Sequence, residues 1–195
     1  MDNKKYLANV QFLIVDDSAF MRTIIRRILS TLGVQKIREA NDGSEGLKIL
    51  QNWSPDIILA AWEMSPFDVI EFTRTIRQSS RGDERFTPII MLSAHSEYWR
   101  IQQARNAGVN EFLVKPVSPK SLFSRIRAVI RRPRQFIKAP GYFGPDRRRQ
   151  DMGHSDEKRK SQSELIPVPA EQVMQQNQIN ALFNPGSEHP EEQAE

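Results

Sequence analysis

The sequence predicts an α/β domain with a parallel sheet covered on both faces, followed by a largely disordered tail. Two observations carry this. Five short strand-like runs alternate with five stretches of helical periodicity between residues 10 and 131, and strict alternation of that kind produces a doubly wound parallel sheet. Beyond Asp151 the chain turns polar, Gln-rich and punctuated by proline, a composition that buries too little apolar surface to order itself.

Val10–Val15 (VQFLIV) reads as a strand buried on both faces, because its residues are apolar without alternation. Ser18 then caps a helix with Phe20, Ile24, Ile25, Ile28, Leu29 and Leu32 at helical spacing, and Gly33 ends it. The later strands are expected at Lys36–Ala40, Asp56–Ala61, Pro88–Leu92 and Glu111–Val114. The later helices are expected at Ser44–Trp53, Asp68–Gln78, Ser96–Ala107 (closed by Gly108) and Pro119–Arg131. Right-handed crossovers leave few topologies. In such sheets the functional crevice lies outside the carboxyl ends of the strands.

Composition narrows the function classes. There is no cysteine among 195 residues, which excludes disulfides and zinc–thiolate sites and suits a reducing compartment. No apolar run approaches the roughly 18 residues of a membrane span, and the N-terminus MDNKKYLANV lacks the apolar core of a signal peptide. The expectation is a cytoplasmic protein without membrane insertion. The net charge of +4 is unevenly spread: residues 125–149 carry nine basic side chains and one acid, whereas residues 150–195 carry three basic and nine acidic ones. A basic belt of this density suits an anionic partner, though a solvated linker has the same composition.

The chemistry gathers at the predicted strand ends. Asp16 and Asp17 follow the first strand, Ala61 ends the third, Ser93 follows the fourth and Lys115 the fifth. Adjacent carboxylates suit a hard, oxygen-seeking ion such as Mg²⁺. A lysine and a serine hydroxyl suit a phosphoryl oxygen. Each feature alone is ordinary: acids favour helix N-termini, and Lys-Pro is a common turn. Their joint occurrence, in order, each at the end of an apolar strand, is specific.

On FLIVDDSAFMR (12–22), AWEM (61–64), LSA (92–94) and FLVKP (112–116), residues 9–131 resemble the receiver domain of bacterial response regulators of the stand-alone CheY-like kind. The resemblance implies a flavodoxin-like sheet in the order 2-1-3-4-5 and no enzymatic activity of the chain's own. It gives the position of Ala61 to an aspartate that a histidine kinase phosphorylates. Asp16, Asp17 and the carbonyl of Glu63 match metal ligands, Ser93 and Phe112 match the switch residues, and Lys115 matches the lysine that holds the phosphoryl group. Alanine offers no nucleophilic atom, so aspartyl-phosphate chemistry at 61 is impossible. Either the chain is a natural pseudo-receiver or an aspartate has been replaced, and the retention of Asp16, Asp17, Ser93 and Lys115 favours replacement. Mg²⁺ is expected to bind weakly, unless the Glu63 carboxylate turns inward. A kinase partner is expected only where position 61 carries aspartate.

The belt RIRAVIRRPRQFIKAPGYFGPDRRR (125–149) holds aromatics, glycines and arginines together in GYFGPDRRR. Guanidinium forks pair with phosphate and guanine edges, and aromatic faces stack on bases. This stretch resembles the arginine-rich extension of Cle-type cyclic di-GMP effectors of motility control. The resemblance implies that residues 132–150 bind cyclic di-GMP and become ordered on binding, in concert with a face formed by the fourth helix, fifth strand and fifth helix. The expected contacts are Arg147, Arg148 and Arg149, with Asp146 beside them and Arg131, Arg132 and Arg134 as a second set. Tyr142, Phe143 and Tyr98 are expected stacking partners. Tyr98, Ile101 and Arg105 share one helix face by spacing, and Trp99 reads equally as core. A PilZ-type site is not supported: Arg127 and Arg131 fit RxxxR, but no DxSxxG follows. The expected downstream partner is a signalling or flagellar protein. The competing readings are nucleic-acid binding by the belt and a plain receiver with an inert tail. Residues 151–195 are expected to be disordered; Val173, Met174 and Ile179–Phe183 are the only apolar points in the last stretch, and an inert tail is favoured there over a short docking helix.

Overall fold

The computed structural model describes residues 7–79, 83–147 and 179. Strands β1 (Gln11–Val15), β2 (Lys36–Ala40), β3 (Ile57–Ala61), β4 (Ile89–Ser93) and β5 (Glu111–Val114) alternate with helices α1 (Ala19–Thr31), α2 (Gly43–Leu50), α3 (Val69–Gln78), α4 (Tyr98–Ala107) and α5 (Pro119–Arg131). The strands form one parallel sheet in the order β2-β1-β3-β4-β5, with Phe12 beside Ile57, Ile58 beside Ile89 and Ile90 beside Glu111. The doubly wound architecture expected from the alternation is therefore the one present.

The pleat divides each strand between two cores. Leu13, Val15, Ile58, Ala60, Ile89, Met91 and Phe112 point to the side that α2, α3 and α4 cover. Phe12, Ile14, Ile57, Leu59, Ile90, Leu92 and Leu113 point to the side of α1 and α5. β3 and β4 are buried at every residue, whereas edge strand β2 alternates exposed and covered positions. Local sequence sets the helix starts. Ser18, Asp42, Asp68 and Ser118 each accept a hydrogen bond from the backbone N–H three residues on, satisfying donors that a helix start leaves orphaned. α4 starts two residues later than expected, at Tyr98, and its N-cap residue Glu97 makes no side-chain capping bond.

Two elements were not expected. After α5, β6 (Phe136–Ala139) and β7 (Tyr142–Pro145) pair as an antiparallel hairpin. Pro140 and Gly141 form its two-residue turn, and Gly141 has φ +73°, which matches a type II turn with proline first and glycine second. The hairpin lies within residues 132–150, the segment for which the resemblance implied cyclic di-GMP binding. Ile179 is the second departure. It lies in the segment expected to be disordered, yet it is helical and fully buried in the α2–α3–α4 core. The remaining tail positions, including Val173 and Met174, lie outside the described residues.

Candidate functional site

Parallel strands bring Asp16, Ala61, Ser93 and Lys115 to one end of the sheet. Asp16 is 1% exposed, and both of its carboxylate oxygens are engaged. The Ser18 N–H donates to Oδ1 (2.9 Å) and Lys115 Nζ donates to Oδ2 (3.2 Å). With a methyl group at Ala61, the lysine pairs with the remaining buried acid. The Ser93 hydroxyl, also buried, accepts from the His95 N–H at 2.9 Å. The Phe112 ring lies wholly inside the core.

The acidic side chains near the strand ends are dispersed. Asp17 is exposed. Glu63, which might have turned inward, lies 71% exposed with Oε1 3.0 Å from His95 Nε2. His95 Nδ1 faces Glu97 at 3.6 Å, and Arg100 pairs with Glu97 at 3.3 Å, so Glu63 is drawn toward the β4–α4 loop. Among the described residues no cluster of three or more His, Cys, Asp or Glu is placed to hold a metal ion.

The arginine-rich segment assembles elsewhere. Helices of this fold run antiparallel to the strands they follow, so the chain leaves α5 at the amino end of the sheet. The hairpin consequently lies against the residues that precede β4 and β5 rather than at the carboxyl ends. Phe136 and Phe143 pack on Phe86 at 5.3 and 5.4 Å, both edge to face, and on each other at 5.7 Å. Arg85 lies over Phe86 and Phe143, each at 4.9 Å. Phe143 is thus committed to docking the hairpin and is not a free stacking surface.

Tyr142 is the centre of the remaining cluster. Its hydroxyl donates to the Pro145 carbonyl at 2.7 Å, a fold-back that places it where a Cβ on Gly144 would lie 2.7 Å from the oxygen. Arg147 stacks over the Tyr142 ring at 4.1 Å and donates to Asn106 Oδ1. Arg105 donates to the Arg147 carbonyl. Burial raises the phenol's pKa, opposed by Arg147, Arg77, Arg134 and Arg105. Burial likewise lowers the pKa of Arg134, against the pull of Glu111. Asp146, whose N–H donates to the Gln135 carbonyl at 2.7 Å, acts on Arg134 in the same direction.

Of the expected contacts, the structure brings together Arg147, Tyr142, Arg105, Arg134 and Asp146. Tyr98 is separated from them. It starts α4, and seven residues at 1.5 Å put Arg105 about 10 Å further along the axis. Arg131 and Arg132 are exposed, and Arg132 lines a cavity of about 90 Å³ with Arg134, Phe86 and Phe136. Arg148 and Arg149 lie outside the described residues. Sequence reasoning missed Arg77, Arg85, Phe86, Asn106 and Phe136. A signal existed for the hairpin, since FIKA and YFGP flank a Pro-Gly turn. Arg77 also falls on the inner face of α3, seven residues after Ile70.

Residues 12–127 match the response regulator receiver domain model. The chemotaxis protein CheY-3 of Vibrio cholerae is 31% identical over 124 residues, covering 64% of this chain and 94% of that protein. The chemotaxis protein CheY of Pseudomonas aeruginosa is 34% identical over 125 residues, covering 63% and 98%. The solved structure of the chemotaxis response regulator CheY4 of Vibrio cholerae superimposes with a TM-score of 0.57 at 30% identity, covering 62% and 98%. The chain belongs to the response regulator receiver domain family. Within it, the likeness runs to CheY-type chemotaxis regulators, which end where the hairpin and tail of this chain begin.

Proposed function

We propose that this chain is a non-enzymatic CheY-type signalling adaptor whose receiver takes up no phosphoryl group at position 61 and whose hairpin, with the C-terminal end of α4, binds cyclic di-GMP. One observation carries the reading: the Arg147 guanidinium lies 4.1 Å over the Tyr142 ring and donates to Asn106 Oδ1, while Arg105 donates to the Arg147 carbonyl. Guanidinium groups gathered beside an aromatic face suit a ligand that is both anionic and flat. A dinucleotide with two phosphates and two guanines offers anionic oxygens and flat faces together. Arg147 presents a planar fork, already oriented by Tyr142 and Asn106. The partner in this reading is a signalling or flagellar protein, with a histidine kinase added only where position 61 bears aspartate.

The test is calorimetric titration of the full chain with cyclic di-GMP, GTP, GMP and single-stranded DNA. The expected result is saturable binding of cyclic di-GMP alone. Losing one charge-assisted contact costs about 1.5–3 kcal/mol, or roughly ten- to hundredfold in affinity. Replacing both Arg147 and Arg148 by alanine therefore nearly abolishes binding, and lysine at both restores little, because an ammonium lacks the fork. Binding of any polyanion with a steep salt slope would instead establish a nucleic-acid interaction of the belt.

A further inference from the structure

Ile179 is the one described residue beyond Arg147, and it is fully buried. Every other buried member of its cluster lies between Leu13 and Phe112. The cluster includes Ile70 of α3, Ile101 and Ala104 of α4, and Trp62 and Met64 of the loop after β3. We propose that Ile179 anchors a docking element in cis, an apolar segment of this chain that covers the α2–α3–α4 side of the receiver. This inference stands apart from the second-messenger reading.

Three features favour that occupant. Leu182 and Phe183 follow Ile179 at i+3 and i+4, a spacing that puts all three on one helix face, and Pro185 bars a long continuation. The receiver side is apolar. Two of the three buried α4 residues, Ala104 and Ala107, are alanine. Trp62 and Met64 lie beyond the strand end yet are only 8% exposed. The linker also suffices. Residues 148–178 number enough to extend about 100 Å, and a linker of that length with coil statistics would span about 30 Å and give an effective concentration on the order of millimolar. A peptide with a dissociation constant of about 10 μM would then be docked roughly a hundredfold more often than free. The docked segment shields α4, so an external protein that reads this helix must displace it.

Hydrogen exchange on the full chain tests this. In Ile179→Asp, peptides covering 62–72 and 98–107 are expected to exchange at least tenfold faster, with those of α1 and α5 unchanged. Ile179→Ala is expected to give a smaller increase in the same peptides. A synthetic peptide spanning 171–185, added to Ile179→Asp, is expected to restore slow exchange saturably at micromolar concentration. Unchanged exchange in both variants, or failure of the peptide to restore protection, overturns the proposal. Uniform acceleration on both sides of the sheet also overturns it, because Ile179 would then be an integral core residue and not the anchor of a separable segment.

Discussion

Replacing Arg77 by methionine tests what joins the hairpin to the receiver. Arg77 is 3% exposed, and the acceptors of its hydrogen bonds are neutral oxygens. Nε and Nη2 donate to the Gly108 carbonyl at 3.1 and 3.0 Å. Nη1 donates to the carbonyls of Arg85 and Thr87, both at 2.8 Å, and Nη2 reaches Asn110 Oδ1 at 3.0 Å. Gly108, at φ +104°, leaves room, since a Cβ there would lie 3.2 Å from the side chain. Burial pushes the guanidinium from 12.5 down to about 9, so it stays charged at neutral pH. That displacement corresponds to roughly 5 kcal/mol of charge-burial cost. Methionine removes the charge but leaves three acceptors, the carbonyls of Gly108, Arg85 and Thr87, short of a donor at about 1–3 kcal/mol each, since Asn110 Oδ1 keeps the Ile89 N–H. The acceptors outweigh the relieved charge, with a mid-range net loss of about 1 kcal/mol. Urea unfolding of the full chain, followed by tryptophan fluorescence, measures it. The hairpin should loosen as well, because Phe136 lies 5.1 Å from this guanidinium. A variant as stable as the parent, or more stable, would show that charge burial dominates and refute the reasoning.

Ala61→Asp is expected to give Mg²⁺-dependent phosphorylation from acetyl phosphate, read by mass spectrometry, where the parent takes up none; a folded but inert variant would favour a natural pseudo-receiver. In the parent, NMR titration should move amides near Asp16 and Asp17 only at high Mg²⁺, and tight binding would mean that Glu63 has left His95 to become a ligand. Phe86→Ala removes two edge-to-face pairs worth about 0.5–1.5 kcal/mol each, so hairpin amides should lose exchange protection while the sheet keeps it. The Tyr142 pKa is raised above its ordinary 10.0, so the folded chain holds that proton more tightly than the unfolded one. Its contribution to stability is constant below pH 10 and falls as pH rises toward the folded value; Tyr142→Phe should remove that part of the alkaline loss in denaturant titrations.

The sequence by itself determined the receiver. Apolar runs such as VQFLIV and PIIML are buried on both faces whatever surrounds them, and caps such as Ser18 and Asp68 act within one turn. Because parallel strands end on the same side, strand order alone brought Asp16, Ala61, Ser93 and Lys115 together. The hairpin's position was a different matter. The composition of GYFGPDRRR showed arginines and aromatics but not which would be spent on packing. Only the tertiary structure set Phe143 against Phe86, stacked Arg147 on Tyr142, and left Tyr98 at the far end of α4. The same holds for Arg77, whose acceptors come from residues 85, 87, 108 and 110, and for Ile179, one of a few apolar residues in a polar tail. Periodicity reports which side of an element is apolar. It carries no record of what distant segment covers that side, since contacts between elements far apart in sequence depend on where folding brings their surfaces.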